Sequence, residues 1–210
     1  MRQLLVASGN VKKLQELREL CASLPLSVLG PEALQGGLPE VEEDGATFAA
    51  NAETKARAAV AAAAAQGLDV WALADDSGLC VDALHGAPGV RSARYSGVGG
   101  TGRDAANIAL VLERLRGVPQ DRRGAEFRCA IAVAGAQGLL CLAEGVARGR
   151  ILEAPEGQGG FGYDPIFYDA GSGTSFARLS PAAKAAISHR GHAMAALRAQ
   201  LITALHCASA

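Results

Sequence analysis

The sequence predicts an α/β fold, and three observations carry that expectation. Residues 4–7 form a short apolar run that reads as a buried strand; it passes through Ser8-Gly9-Asn10 into residues 12–24, where Leu14, Leu17, Leu20 and Leu24 recur at helical intervals. An alanine-rich stretch over residues 47–66 reads as a second helix and runs directly into another apolar strand at 70–74. Residues 127–133 and 139–146 read as neighbouring strands joined by a short Gly/Ala-rich turn.

Size and composition narrow the class further. A chain of 210 residues allows one domain, or one domain with two lobes, and buries about 70% of the surface its extended form would expose. Hydrophobic residues at 50% and charged residues at 20% fit a globular enzyme and exclude a disordered charged tail. Twenty basic residues stand against 21 acidic ones, a formal charge of −1, so no general field attracts nucleic acid and any anion site is local. Cys21, Cys80, Cys129, Cys141 and Cys207 are scattered, without a close pair suited to zinc or redox exchange, and read as reduced thiols of a cytoplasmic protein. The apolar run near Met1 is too short for a signal peptide. No apolar segment reaches the roughly 20 residues needed to span a bilayer, and the run at 56–65 is interrupted by Arg57. The expectation is a cytoplasmic chain with no membrane partner and no stable nucleic acid partner.

Each predicted element then places polar groups. Ser8-Gly9-Asn10 joins strand to helix, where backbone N–H groups and the positive helix end face an anion; Lys13 adds a mobile charge and Gly9 permits close approach. Taken alone, these residues read first as a capped turn with solvated lysines and second as a phosphate site. Thr47 suits the N-cap of the second helix and Gly67 its end, and Asn51 and Lys55 share one helical face. Before that helix, Glu42-Glu43-Asp44-Gly45 forms an acidic turn, either solvated or turned toward a metal. The strand at 70–74 enters Asp75-Asp76-Ser77-Gly78, which reads as a structural transition, with apolar residues resuming at 79–81; adjacent acids in an extended segment point to opposite faces. Pro88-Gly89 marks a turn, the glycines of 97–102 a mobile connection dividing two lobes, and residues 105–115 a further helix. Arg91 and Arg94 serve either phosphate or local ion pairs.

The glycine-sheathed loop at 157–164 is the most informative. Its glycines free the backbone to approach a ligand, Phe161 suits stacking on a planar base, and Asp164 either accepts a base N–H or supports a neighbouring cation; Tyr163 reads as structural. Pro181 is compatible with a local helix start, Gly191 reads as a break or bend, and residues 192–205 form the final helix. Between them, Lys184 suits phosphate or a base, Arg190 makes several directed hydrogen bonds, and His189 reads a carbonyl in the right tautomer. Paired carboxylates, lysines near a strand-to-helix turn and a sheathed aromatic together point to hydrolysis of a nucleotide.

The same residues carry a family resemblance. Ser8-Gly9-Asn10 with Lys13, Thr47-Phe48 with Asn51-Ala52 and Lys55-Ala56, Ala74-Asp75-Asp76-Ser77-Gly78-Leu79, Ser92-Ala93-Arg94-Tyr95, Gly160-Phe161-Gly162-Tyr163-Asp164-Pro165-Ile166-Phe167, and Lys184 with Ser188-His189-Arg190 together resemble the inosine triphosphate pyrophosphatase family over nearly the whole chain. The resemblance implies a single domain over 1–210 with a mixed central sheet, two lobes flanked by helices and an inter-lobe nucleotide cleft. It implies a homodimer that uses Mg2+ to convert nonstandard purine nucleoside triphosphates (XTP, ITP and dITP) to monophosphate and pyrophosphate. On it, Ser8, Gly9, Asn10, Val11, Lys12, Lys13 and Lys55 cradle phosphate with Asn51 ordering the approach. Asp76 is the general base, and Glu42 or Glu43 completes the metal site with it. Ser77 lies near substrate, while Phe161, Gly162, Tyr163, Asp164, Lys184, His189 and Arg190 surround the base. Gly99-Gly100-Thr101-Gly102 is richer in glycine than the family pattern.

Overall fold

The computed structural model describes residues 2–21 and 24–208, with the side chains of Lys12, Lys13, Glu16, Leu20, Cys21 and Ala208 outside the description. In chain order, the elements are β1 (Arg2–Val6), α1 (Val11–Cys21), β2 (Leu26–Leu29), α2 (Phe48–Ala64), β3 (Trp71–Val81), α3 (Arg103–Arg114), β4 (Gly124–Gly135), β5 (Gly138–Ile151), β6 (Phe167–Asp169), β7 (Thr174–Ser175), α4 (Pro181–Ile187) and α5 (His189–Ala208). The strands form one open sheet in the order β2-β1-β3-β4-β5-β6-β7. It is mixed: β1 pairs parallel with both β2 and β3, whereas β5–β6 and β6–β7 are antiparallel. The α/β expectation with a mixed sheet holds.

Two compact units divide the chain. The first comprises Met1–Asp76, Cys129–Gly145 and Arg190–Ala210, and the second Ser77–Arg128 and Val146–His189.

In the first unit, strand alternation sorts large from small side chains. Trp71 and Leu73 of β3, with Cys129, Ile131 and Val133 of β4, join Leu17 of α1 and Ala193, Met194, Leu197 and Leu201 of α5 in one core. The opposite strand positions, Ala72 and Ala74 with Ala130, Ala132 and Ala134, meet Ala52, Ala56, Ala59 and Ala63 of α2 in another. Alanine against alanine lets α2 lie close to the sheet, and added methylenes in such packing typically cost about 1–3 kcal/mol. Thr47 caps α2 by accepting a hydrogen bond from the Ala50 N–H at 3.1 Å, as its sequence position predicts.

The second unit packs Leu79, Val81, Val111, Leu115 and Ile151 around three phenylalanines. Phe127 and Phe167 lie 4.6 Å apart and Phe167 and Phe176 4.8 Å, both tilted, an arrangement that favours the ring quadrupoles. Arg123 is buried here, and its guanidinium donates to the carbonyls of Leu115, Ile151 and Leu152 at 2.9–3.2 Å, so its donors are spent on backbone.

Several expectations change. The acid pair lies inside β3, which runs unbroken from Trp71 to Val81, because Leu79 and Val81 continue the buried apolar run past the aspartates. Gly191 is the third residue of α5 rather than a break, since only a helix interior is strongly penalised by glycine. Both hairpin strands are longer than the sequence suggests, and β2, β6 and β7 are additional. Pro181 does open a helix, with Ser180 accepting from the Ala183 N–H at 3.2 Å. Cys80, Cys129, Cys141 and Cys207 are free thiols, and burial pushes Cys80 and Cys141 up from the ordinary thiol range. Among the described residues, no helix is long and apolar enough to cross a membrane.

Candidate functional site

Period two along β3 decides where each aspartate goes. Asp75 shares the face of Trp71 and Leu73 toward α5, and there Arg190 donates to its Oδ2 from Nε at 3.3 Å and from Nη2 at 3.2 Å. Both side chains are 1% exposed, so the guanidinium expected to recognise a ligand is committed to an ion pair. Asp76 shares the face of Ala72 and Ala74 toward α2.

On that face four side chains converge. Asn51 Nδ2 donates to Asp76 Oδ2 at 3.0 Å while its Oδ1 accepts from the Gly45 N–H at 2.9 Å, tying the acidic loop to the strand. Lys55 Nζ lies 3.1 Å from Asp76 Oδ1 and 3.1 Å from Glu43 Oε1. The four-residue spacing of Asn51 and Lys55 puts both on one face of α2, as predicted, and the fold sets that face above the Asp76 carboxylate. Burial raises the Asp76 pKa, with Lys55 and Asn51 pulling it back. Burial opposes the Lys55 charge, but the carboxylates of Asp76, Asp75 and Glu43 outweigh it and the Lys55 pKa rises. A charged lysine beside a carboxylate of raised proton affinity suits anion binding and proton abstraction.

The acidic turn resolves into unequal members: Glu43 is half-buried in this cluster, while Glu42 is exposed. Among the described residues, no group of three or more His, Cys, Asp or Glu side chains converges as a metal site. Glu43 and Asp76 already share one cation, the Lys55 ammonium, and carboxylate oxygens suit a hard divalent ion. A cavity of about 250 Å³ adjoins them, lined by Gly9, Glu43 and Lys55 and by Leu38, Pro39 and Val41. Ser8 is buried and its Oγ accepts weakly from the Asn10 N–H at 3.4 Å. Gly9 is exposed, an added Cβ would meet nothing within 4 Å, and Val11 is 78% exposed at the start of α1. The Lys12 and Lys13 side chains, expected to touch phosphate, lie outside the described residues. Ser77 follows Asp76 in β3 and is half-buried.

In the second unit, Lys184 Nζ sits 4.4 Å from the centroid of the Phe161 ring, a cation–π contact, and 2.8 Å from Asp164 Oδ2. The same Asp164 oxygen accepts from the Phe161 N–H at 2.8 Å, so of the two readings for Asp164 the support of a neighbouring cation is realised. Lys184 is 5% exposed and Asp164 2%. Tyr163 is buried, with its hydroxyl donating to the Ser92 carbonyl at 2.8 Å; burial first, then the Tyr95 and Asp104 charges, hold its phenol well above the usual range. His189 is buried with its ring stacked on Phe127, centroids 4.7 Å apart. Gly162 lies at φ 59°, in the left-handed region, and its N–H donates to Asp104 Oδ2 at 2.9 Å.

Sequence reasoning missed the apolar lining at Leu38, Pro39 and Val41, and Asp104. Only the last had a signal, its place before an amphipathic helical stretch.

Known proteins resemble the chain over nearly its full length. The Ham1 family model matches residues 4–200. A dITP/XTP pyrophosphatase of Anaeromyxobacter sp. (strain Fw109-5) is 48% identical, covering 94% of this chain and 96% of the relative. One of Geobacter sulfurreducens is 47% identical, with 96% and 97% covered. The solved HAM1 protein of Coxiella burnetii superposes with a TM-score of 0.84 at 40% identity, covering 97% of this chain and all of that one. The nucleoside-triphosphatase / dITP/XTP pyrophosphatase of Mycobacterium abscessus gives 0.72 at 44%, with 93% and 97% covered. On a family match that spans all but the chain's ends, and on full-length relatives that share nearly half its residues, this chain belongs to the Ham1 family.

Proposed function

We propose that this chain hydrolyses nonstandard purine nucleoside triphosphates, with XTP, dITP and ITP as substrates, to the nucleoside monophosphate and pyrophosphate, which keeps such nucleotides out of RNA and DNA. The observation that carries the reading is the Asp76 cluster: a largely buried carboxylate oriented by Asn51, flanked by a charged lysine and sharing that cation with Glu43. The names of the relatives, dITP/XTP pyrophosphatase, supply the substrate class.

The chemistry follows from these side chains. Lys55 and the backbone of Ser8, Gly9 and Asn10, with Val11, Lys12 and Lys13 at the head of α1, suit the triphosphate. Asp76 takes a proton from water as the water oxygen bonds to the α-phosphorus; the bond from that phosphorus to the bridging oxygen breaks, and pyrophosphate leaves with the electron pair. Asn51 keeps Asp76 aimed, because its amide is held at the other end by Gly45. Glu43 and Asp76 would hold a divalent cation, Mg2+ in this reading, which would supply charge neutralisation on the phosphate oxygens. Phe161 offers a stacking face to the purine, with Lys184 and Asp164 setting its polar edge and His189 and Ser77 near it. Tyr163 anchors the loop through Ser92, and Arg190 steadies the strand through Asp75. Hydrogen-bond donors at the base edge favour a 6-oxo purine over adenine. The free cysteines agree with action in the cytoplasm, and the homodimer implied by the family belongs to the same reading, checked by light scattering.

A panel of XTP, ITP, dITP, GTP, ATP and dUTP, with pyrophosphate and orthophosphate measured separately with and without Mg2+, tests it. The expected result is Mg2+-dependent pyrophosphate release, fastest for XTP, ITP and dITP. Orthophosphate as first product contradicts attack at the α-phosphorus, fastest turnover of dUTP contradicts purine selection, and tight binding without turnover indicates a nucleotide sensor.

A further inference from the structure

We propose that Asp104, at the head of α3, is a positioning residue that holds Phe161 as a stacking platform by gripping the backbone of the next residue; this rests on the reading of Phe161 as the purine contact. Two consecutive N–H groups of the loop are each bound by a carboxylate: that of Phe161 by Asp164 Oδ2 at 2.8 Å, and that of Gly162 by Asp104 Oδ2 at 2.9 Å. Gly162 sits at φ 59°. Glycine visits this conformation and its mirror with similar ease, so nothing intrinsic to Gly162 keeps it there and the Asp104 bond supplies the restraint. Asp164 alone fixes only the near side of the aromatic residue.

Asp104 is itself braced. Its Oδ1 accepts from Arg103 Nε at 3.1 Å. One turn further along α3, Asn107 Nδ2 donates to the Ser92 carbonyl at 3.1 Å and its Oδ1 accepts from the Ser96 N–H at 2.8 Å. Tyr163 closes the circuit onto that same Ser92 carbonyl at 2.8 Å. Helix, Ser92 turn and aromatic loop thus form one connected network in which the contact of Asp104 with the loop is to its backbone. The ring it positions carries the Lys184 ammonium on its face at 4.4 Å. A loose Gly162 would let that ring tilt, and pre-organisation of the stacking surface would be lost without change to the reacting groups.

The test uses the full chain as Asp104→Ala, Asp104→Asn, Phe161→Ala and the Asp104→Ala/Phe161→Ala double variant. Steady-state pyrophosphate release from ITP and hydrogen exchange over the peptide containing Gly160–Asp164 are read for each. Asp104→Ala is expected to raise KM about fivefold with kcat within about twofold, and to speed exchange of the loop amides. Asp104→Asn keeps an oxygen acceptor and restores most of both. In the Phe161→Ala background, Asp104→Ala is expected to add less than about twofold in KM, because the platform it serves is gone. Unchanged loop exchange, a fall in kcat at constant KM, or an undiminished effect in the Phe161→Ala background overturns the proposal. Absence of pyrophosphate release from the parent chain instead refutes the functional reading, and the exchange measurement then decides on Asp104 alone.

Discussion

Replacing Asp75 by alanine removes the carboxylate that neutralises Arg190, in a pair whose side chains are both 1% exposed. The guanidinium has two donors aimed at one oxygen, at 3.2 and 3.3 Å, and α5 holds it in the core beside Ala193 and Met194. With the carboxylate gone, the buried cation loses the counter-charge that Asp75 supplies, a change that costs about 3–5 kcal/mol in comparable pairs. For a chain of this length each kcal/mol moves the melting temperature by about 2–4 °C, so Asp75→Ala is expected to melt roughly 6–20 °C below the parent. Urea unfolding followed both by far-UV circular dichroism and by fluorescence of Trp71, the single tryptophan, checks the size and whether one transition describes it. Asp75→Asn, which keeps a neutral acceptor, is expected to lose less. Asp75→Leu with Arg190→Met removes both charges and is expected to recover most of the loss, because well-packed apolar replacements of buried pairs are often neutral. An Asp75→Ala chain within about 1 kcal/mol of the parent, or a double variant worse than the single, would refute the account of Arg190 as an anchoring cation.

The neighbouring residue is expected to behave in the opposite way. Asp76→Asn keeps the size of the side chain and an acceptor for Asn51 but removes the base, so single-turnover pyrophosphate formation is expected to drop about 10²- to 10⁴-fold while nucleotide binding and the fold persist; near-parental chemistry sinks the assignment. Tyr163 gives a pH prediction: its folded pKa lies above the unfolded value, so above the ordinary tyrosine value of about 10 the unfolded chain loses its proton first and stability falls as pH rises. That contribution is complete below about pH 10, and Tyr163→Phe, read by urea unfolding between pH 8 and 11, is expected to flatten the slope and to cost about 1 kcal/mol for the Ser92 bond. An unchanged slope contradicts the buried neutral phenol.

Much of the fold was legible because the informative signals are local. Helical spacing of leucines and alanines, Thr47 as a cap and Pro181 at a helix start act over a few residues, and each placed its element to within a turn. The opposition of Asp75 and Asp76 was equally legible, since period two follows from extended backbone alone. Strands of four, three and two residues, β2, β6 and β7, are too short to show a period, and pairing to neighbours is what makes them strands. The site divides along the same line. The sequence by itself determined that Asn51 and Lys55 share a face, that the two aspartates do not, and that glycines surround Phe161. Only the tertiary structure decided that Lys55 meets Asp76 from 21 residues away, that Asp104 grips Gly162 across 58, and that Arg190 answers Asp75 across 115. Residue type sets what a side chain can bond to, but strand order and helix packing choose its partner, and burial makes that choice energetically binding by withdrawing water as the alternative.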